Sequence, residues 1–137
     1  MQRAPTASSR AKSDAVRRVL DRGGLIDITT TGRRSKRPRR LEIVFHNIDG
    51  RIVISGSPRR SHKRAWILNL EADPRITIHI KGPLEGDLPG TARVITDPVE
   101  RQSVADWIVG HAWPQMDRAA MVAASPMIEV TLDDEAA

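Results

Sequence analysis

The chain has 137 residues, enough for one ordinary domain with a real core and too few for two unless both are very small. It carries 22 basic and 17 acidic residues, a net charge of +5 concentrated in residues 1–40, so an anionic partner suits it better than a cationic one. The absence of cysteine rules out disulfides, thiolate metal sites and a cysteine nucleophile. No apolar run is long enough to span a bilayer or to act as a hydrophobic signal segment, so the chain reads as soluble and cytoplasmic.

Residues 1–12 show no period that could bury a face and are expected to form a disordered basic tail. A single domain is expected over 13–132, with an acidic tail over 133–137. Ser13 is placed to cap a short helix with Val16, Val19 and Leu20 on one side, stopped by Gly23 and Gly24; it would pack as a lid or strap. Residues 25–30 (LIDITT) alternate as a first strand, which leads directly into the stretch around which the chain is organised.

That stretch, residues 29–40 (TTTGRRSKRPRR), holds a glycine, hydroxyls and the cations Arg33, Arg34, Lys36, Arg37, Arg39 and Arg40. A bend at Gly32 can aim backbone N–H groups into one concavity, hydroxyls can add donors, and arginine forks can take phosphate or carboxylate oxygens in pairs. A solvated basic turn or a general nucleic-acid patch would have the same composition.

Residues 41–46 alternate, with Leu41, Ile43 and Phe45 opposite Glu42, Val44 and His46. Asp49-Gly50 then predicts a hairpin into the strand 51–55. After a second basic loop at Ser57, Pro58, Arg59 and Arg60, Ser61 is placed to cap a helix reaching Ala72, closed by Asp73-Pro74 and striped by Trp66, Ile67 and Leu70. Residues 75–81 alternate as a half-buried strand. Pro83, Gly86 and Pro89 mark 82–90 as a loop, and a strand resumes over 91–96. Asp97, Pro98 and Glu100 are an N-cap, an N1 proline and a capping-box glutamate for a helix whose stripe is Val104, Trp107 and Ile108. A short helix from about Gln115 and a last strand over 126–132 complete the chain.

About six strands and two or three helices at connections, with the first three strands uninterrupted by helix, fit a small closed barrel of mainly antiparallel strands. No catalytic triad, paired carboxylates or cysteine nucleophile is apparent, which counts against a hydrolase but not against an enzyme whose cofactor carries the chemistry. His46, His62, His79 and His111 are scattered, so no metal site is expected. Trp107 reads as core. Trp113 suits packing on the barrel end and also an acceptor pocket.

The order TTTGRRS, Pro38-Arg39, a hairpin, a serine-containing loop, then Lys63-Arg64-Ala65-Trp66, Asn69-Leu70 and Asp73-Pro74 resembles the deazaflavin-dependent nitroreductase family over residues 25–81, with a fainter echo at 127–132. The resemblance implies a mainly β, six-stranded antiparallel split barrel of the FMN-binding type, related to pyridoxamine 5'-phosphate oxidase-like proteins. It also implies bound coenzyme F-420 and hydride transfer to a quinone, nitro compound or other unsaturated small-molecule acceptor. On the family's arrangement, Arg33, Arg34, Ser35, Pro38 and Arg39 would bind the phosphate and polyglutamate tail. Ser55, Gly56 and Ser57 would place backbone donors along the ring, and Lys63, Arg64, Ala65 and Trp66 would close over it. Asn69 would hold the helix or touch the ligand, while Trp66, on a stripe with Leu70, suits the core equally. Split barrels commonly pair, which implies a homodimer.

Two departures stand out. Lys36 occupies a position that is glycine in many relatives, and the chain has no tyrosine, whereas nitroimidazole-reducing members shape their substrate site with tyrosines. Two alternatives stay open: an FMN-binding barrel, which also needs a phosphate loop, and a nucleic-acid-binding barrel. Against nucleic acid stands the shortage of stacking aromatics, three tryptophans and one phenylalanine.

Overall fold

The computed structural model describes residues 7–58, 64–82 and 85–133. Six strands, β1 (Gly24–Thr31), β2 (Pro38–Ile48), β3 (Arg51–Ser55), β4 (Arg75–Ile80), β5 (Gly86–Val94) and β6 (Met127–Leu132), close into a barrel in the order β1-β2-β3-β6-β5-β4, every pair antiparallel. Among the described residues there are four helices, more than the two or three expected from the sequence: α1 (Ala7–Arg22) precedes β1, and α2 (Ala65–Ala72), α3 (Pro98–His111) and α4 (Arg118–Ala124) sit at connections between strands. The Asp49-Gly50 hairpin is present: both residues take positive φ (52° and 89°), Ile48 pairs with Arg51, and the Asn47 side chain accepts from Gly50 N–H at 2.8 Å.

Strand alternation sorts the apolar side chains into two layers. Ile26, Ile28, Phe45, Ile52, Ile54, Ile78 and Ile128 point into the barrel, where α2 adds Trp66, Ile67 and Leu70. Ile48, Val53 and Met127 point outward and are covered by Val104, Ile108 and Met121 of α3 and α4. α1 packs Val16, Val19 and Leu20 against the first layer, and Asn47 Nδ2 donates to Leu20 O at 3.1 Å. It therefore closes the end of the barrel where β2 turns into β3. The other end gathers the last residues of β1, β3 and β5 and the first of β2, β4 and β6.

Three boundaries differ from the sequence reading. α1 starts at Ala7, so part of the expected tail is helical and Ser13 lies inside the helix rather than at its cap; Ala, Arg and Lys are strong helix formers, and no glycine or proline separates Ala7 from Ser13. α2 starts at Ala65 with Arg64 at the N-cap; Ser61 lies outside the described residues. β5 begins at Gly86, where a loop was expected, because Pro89 and Gly90 are tolerated by the barrel: Pro89 lies beyond the last β6 pairing, Gly90 with Leu132. A Cβ on Gly90 would stand 2.6 Å from Thr131 O, so glycine lets β6 approach. Asp133 is tied down, its N–H donating to Pro89 O and its carboxylate paired with Arg75.

α3 opens as expected, with the Asp97 carboxylate accepting from Glu100 N–H at 2.9 Å. The Glu100 carboxylate does not complete a capping box. It lies between Arg93 and Arg51, which also hold Glu129, so β3, β5, β6 and α3 are stitched by four alternating charges at 2.6–2.9 Å. The Arg93 guanidinium, foremost, holds the Glu100 carboxyl well below the ordinary carboxylate range.

Candidate cofactor site

The basic stretch lies at the barrel end opposite α1 and is a compact turn. Gly32 N–H donates to Arg37 O at 2.8 Å, Lys36 N–H donates to Gly32 O at 2.9 Å, and Arg37 N–H donates to Ser35 Oγ at 3.2 Å. A Cβ at Gly32 would collide with Ser35 Oγ where that hydroxyl now accepts from Arg37 N–H, and would stand 3.2 Å from Arg37 O, so glycine suits this closure. Lys36 takes φ of 60°, the left-handed conformation that glycine adopts without strain.

Arg33, Arg34, Lys36, Arg37 and Arg39 are all exposed and have no carboxylate partner among the described residues. Arg40, the next residue, is by contrast paired with Asp27 at 2.9 Å. Like charges crowded on a turn repel one another, and a bound polyanion relieves that repulsion.

The turn is anchored to α2 by Asn69. Its Oδ1 accepts from Arg33 N–H at 3.0 Å and its Nδ2 donates to the buried Thr30 hydroxyl at 3.1 Å. Asn69 thus serves the basic turn as a scaffold, with both its amide oxygen and its amide nitrogen engaged. Trp66, 6% exposed, belongs to the barrel core, so the structure places it under α2. Ala65 is exposed at the first turn of α2, whose N-terminus has no side-chain cap and so offers N–H groups and the positive end of the helix dipole. Lys63 lies outside the described residues.

β3 ends at the same rim. The Ser55 side chain is fully buried and donates to Pro126 O at 2.7 Å, so its hydroxyl is internal. Gly56 and Ser57 follow, with Arg64 Nη2 donating to Ser57 O at 2.8 Å. Ser35, Pro38 and Arg39 are exposed on or beside the basic turn. The structure therefore brings the two loops together at one end, with Asn69 on one side and Arg64 on the other. These residues fit a phosphate-bearing, multiply anionic cofactor: exposed cations on a closed turn stand beside backbone groups left open by a strand end.

One arrangement was not apparent in the sequence. Thr29 Oγ1 lies 2.6 Å from His79 Nε2, and His79 Nδ1 lies 2.7 Å from Asp87 Oδ1, the spacing of a hydroxyl, imidazole and carboxylate relay. The imidazole, foremost by hydrogen bonding, lowers the pKa of Asp87. Thr29 and His79 sit on strands paired on both sides, so sheet ladders engage their amides and leave no oxyanion hole beside the hydroxyl. The relay is a cross-strand clasp on the outer sheet face, next to the Asp27, Lys81 and Glu42 ion pairs. Among the described residues there is no cluster able to hold a metal ion, and no helix long and apolar enough to cross a membrane.

The model of the F420H(2)-dependent quinone reductase family matches residues 1–133. The chain belongs to this family. It is an F420-dependent oxidoreductase, and coenzyme F420 is its cofactor. Solved structures agree on the fold. An F420 reductase is 16% identical, covering 85% of this chain and 91% of that one, with a TM-score of 0.63. A candidate pyridoxamine 5'-phosphate oxidase from Listeria innocua is 12% identical, covering 89% and 94%, with a TM-score of 0.61. A protein described as a domain-swapped dimer is 19% identical, covering 91% and 100%, with a TM-score of 0.55.

Proposed function

We propose that the chain reduces a quinone with F420, seating the phosphate and polyglutamate tail on residues 32–39 and the ring beside Gly56 and Ser57. The cluster of five exposed cations, without a carboxylate partner among the described residues, at the same barrel end as the end of β3 carries this reading. When bound, the reduced coenzyme supplies a hydride, and the quinone takes that hydride and a proton from solvent to become the quinol. The protein's part is to bind and orient. Arg33, Arg34, Arg37 and Arg39 neutralise the tail, the Ser35 hydroxyl adds a hydrogen bond, and Pro38 shapes the exit of the turn. Asn69 holds the Arg33 peptide in place, and Arg64 and Ala65 border the ring seat from the start of α2. Trp66 and Ser55 support that seat from the core. The absence of tyrosine favours a quinone over a nitroimidazole as acceptor.

The direct test is a fluorescence titration with F420 and, in parallel, with FMN, each at low and moderate salt. Tight binding of F420 with weak binding of FMN, followed by quinone turnover with the reduced coenzyme, is expected. Preference for FMN overturns the cofactor assignment, and binding of neither hands the basic turn to another anion.

The protein is further proposed to act in the cytoplasm as a homodimer, a reading supported by the domain-swapped dimer among its structural neighbours. Light scattering at micromolar concentration is expected to give twice the 15.2 kDa subunit mass, and one subunit's mass would overturn it.

A further inference from the structure

We infer that Ser125, on the loop between α4 and β6, is a positioning residue for the coenzyme ring, acting through the peptide that joins Gly56 to Ser57. Ser125 is 3% exposed, and its hydroxyl donates to Gly56 O at 2.8 Å. One residue away the bond runs the other way, from Ser55 Oγ to Pro126 O at 2.7 Å. Residues 55–56 and 125–126 are thus cross-tied by two hydroxyls, each closing on a carbonyl of the facing segment. The Pro126 ring stands 3.4 Å from where a Gly56 Cβ would lie, so side-chain packing fills the joint.

The β3–β6 ladder already docks the two strands, ending with Ser55 opposite Met127. The Ser125 bond acts on the first peptide beyond that ladder. The Gly56–Ser57 peptide is trans, as are all those among the described residues, so the Gly56 carbonyl and the Ser57 N–H point in opposite directions within one plane. Holding the carbonyl against Ser125 therefore fixes the Ser57 N–H facing away from the joint, as a donor for a carbonyl of the coenzyme ring. The next peptide is held from the other side, where Arg64 Nη2 reaches Ser57 O.

Ser125 is itself immobilised. Its N–H closes α4 on Met121 O at 3.0 Å, and its carbonyl accepts from Arg101 at 2.6 Å. The Arg101 guanidinium also donates to Ile95 O, Met121 O and Val122 O, so one side chain fastens the end of α4 to the barrel. The line from α3 to the ring seat runs Arg101, Ser125, Gly56, Ser57.

This inference rests on the cofactor reading above, and the experiment separates the two. Wild type, Ser125→Ala, Ser125→Thr and Arg51→Gln are titrated with F420, their melting temperatures are recorded, and the NMR order parameter of the Ser57 amide is measured in the protein without coenzyme. Arg51→Gln is a distal control that breaks ion pairs with Glu100 and Glu129. Ser125 has φ −73° and ψ 144°, an extended conformation that a β-branched threonine adopts readily. Ser125→Ala is expected to bind F420 about tenfold more weakly and to lower the order parameter of the Ser57 amide. Ser125→Thr is expected to restore both, and Arg51→Gln to lower the melting temperature with affinity unchanged. Equal affinity of Ser125→Ala and wild type overturns the inference while leaving the cofactor reading standing. A loss of affinity in Arg51→Gln as large as in Ser125→Ala reduces Ser125 to a stability role and also overturns it. Failure of wild type to bind F420 removes the cofactor reading, and this inference with it.

Discussion

Replacing Arg33 and Arg34 together by alanine is expected to weaken F420 binding about 100-fold without lowering the melting temperature. Both side chains are exposed and lack a carboxylate partner among the described residues, so the folded protein loses no contact when they are shortened. The bond that ties this turn to α2 uses the Arg33 backbone N–H, donated to Asn69, and survives the substitution. Hydrogen bonds to charged groups contribute about 1.5–3 kcal/mol each, and two lost together come to about 3 kcal/mol, or roughly 100-fold. The loss should grow with the number of glutamates in the coenzyme tail. It should shrink as salt is raised, because exposed charges are screened over about 10 Å at 0.1 M. Titration of the double variant with short- and long-tailed coenzyme at two salt concentrations measures all three. Unchanged affinity would remove the tail from residues 32–39, and a lowered melting temperature would give the arginines a structural role.

What the sequence disclosed and what it concealed divide along the range of the interaction responsible. Asp49-Gly50 specified its hairpin because a two-residue turn with positive φ is a local demand. Gly32 and its cations marked the basic turn for the same reason: closure and charge are both written within a few neighbouring residues. Pro89 and Gly90 misled locally, because what makes them tolerable in β5 is the position of β6, more than thirty residues away. Asn69 was visible as a residue type at a telling place, yet its task depends on Arg33 and Thr30, and no spacing reveals that pairing. The Thr29, His79 and Asp87 clasp was hidden because it comes from three strands whose register only the closed barrel sets. Ser125 lay outside the residues singled out, since a lone serine before a proline carries no signal until the strand ends meet.

His46 combines a legible residue with an illegible environment, and it leads to the second large effect, a loss of about 3 kcal/mol of stability between pH 6.5 and pH 4. On β2 it points out of the barrel, 5% exposed, under α3 and the loop that follows. Its ring meets Trp113 edge-on at 4.8 Å and Trp107 at 6.1 Å, and its Nε2 has no hydrogen-bond partner. Burial among neutral rings disfavours the imidazolium and lowers the His46 pKa from 6.5 to about 4. Between those values the unfolded chain binds a proton that the folded chain refuses, so stability rises with pH through this window and falls as the solution is acidified. At 1.36 kcal/mol per pKa unit, the shift corresponds to about 3 kcal/mol, fully lost by about pH 4. The paired carboxylates act lower: Glu100 and Glu129 have depressed pKa values, so their contribution is present above the ordinary carboxylate range and is lost as pH falls through their folded values. The other titratable ring in the cluster is His111, stacked on Trp107 and hydrogen-bonded to its carbonyl. Urea unfolding of wild type, His46→Phe and His111→Gln at pH 7, 5.5 and 4.5 separates these contributions. Wild type and His111→Gln are expected to lose stability steadily over that range, and His46→Phe, which keeps a ring between the tryptophans, to stay nearly flat. The same slope in His46→Phe as in wild type would transfer the acid sensitivity to other groups and leave the buried imidazole without a thermodynamic role.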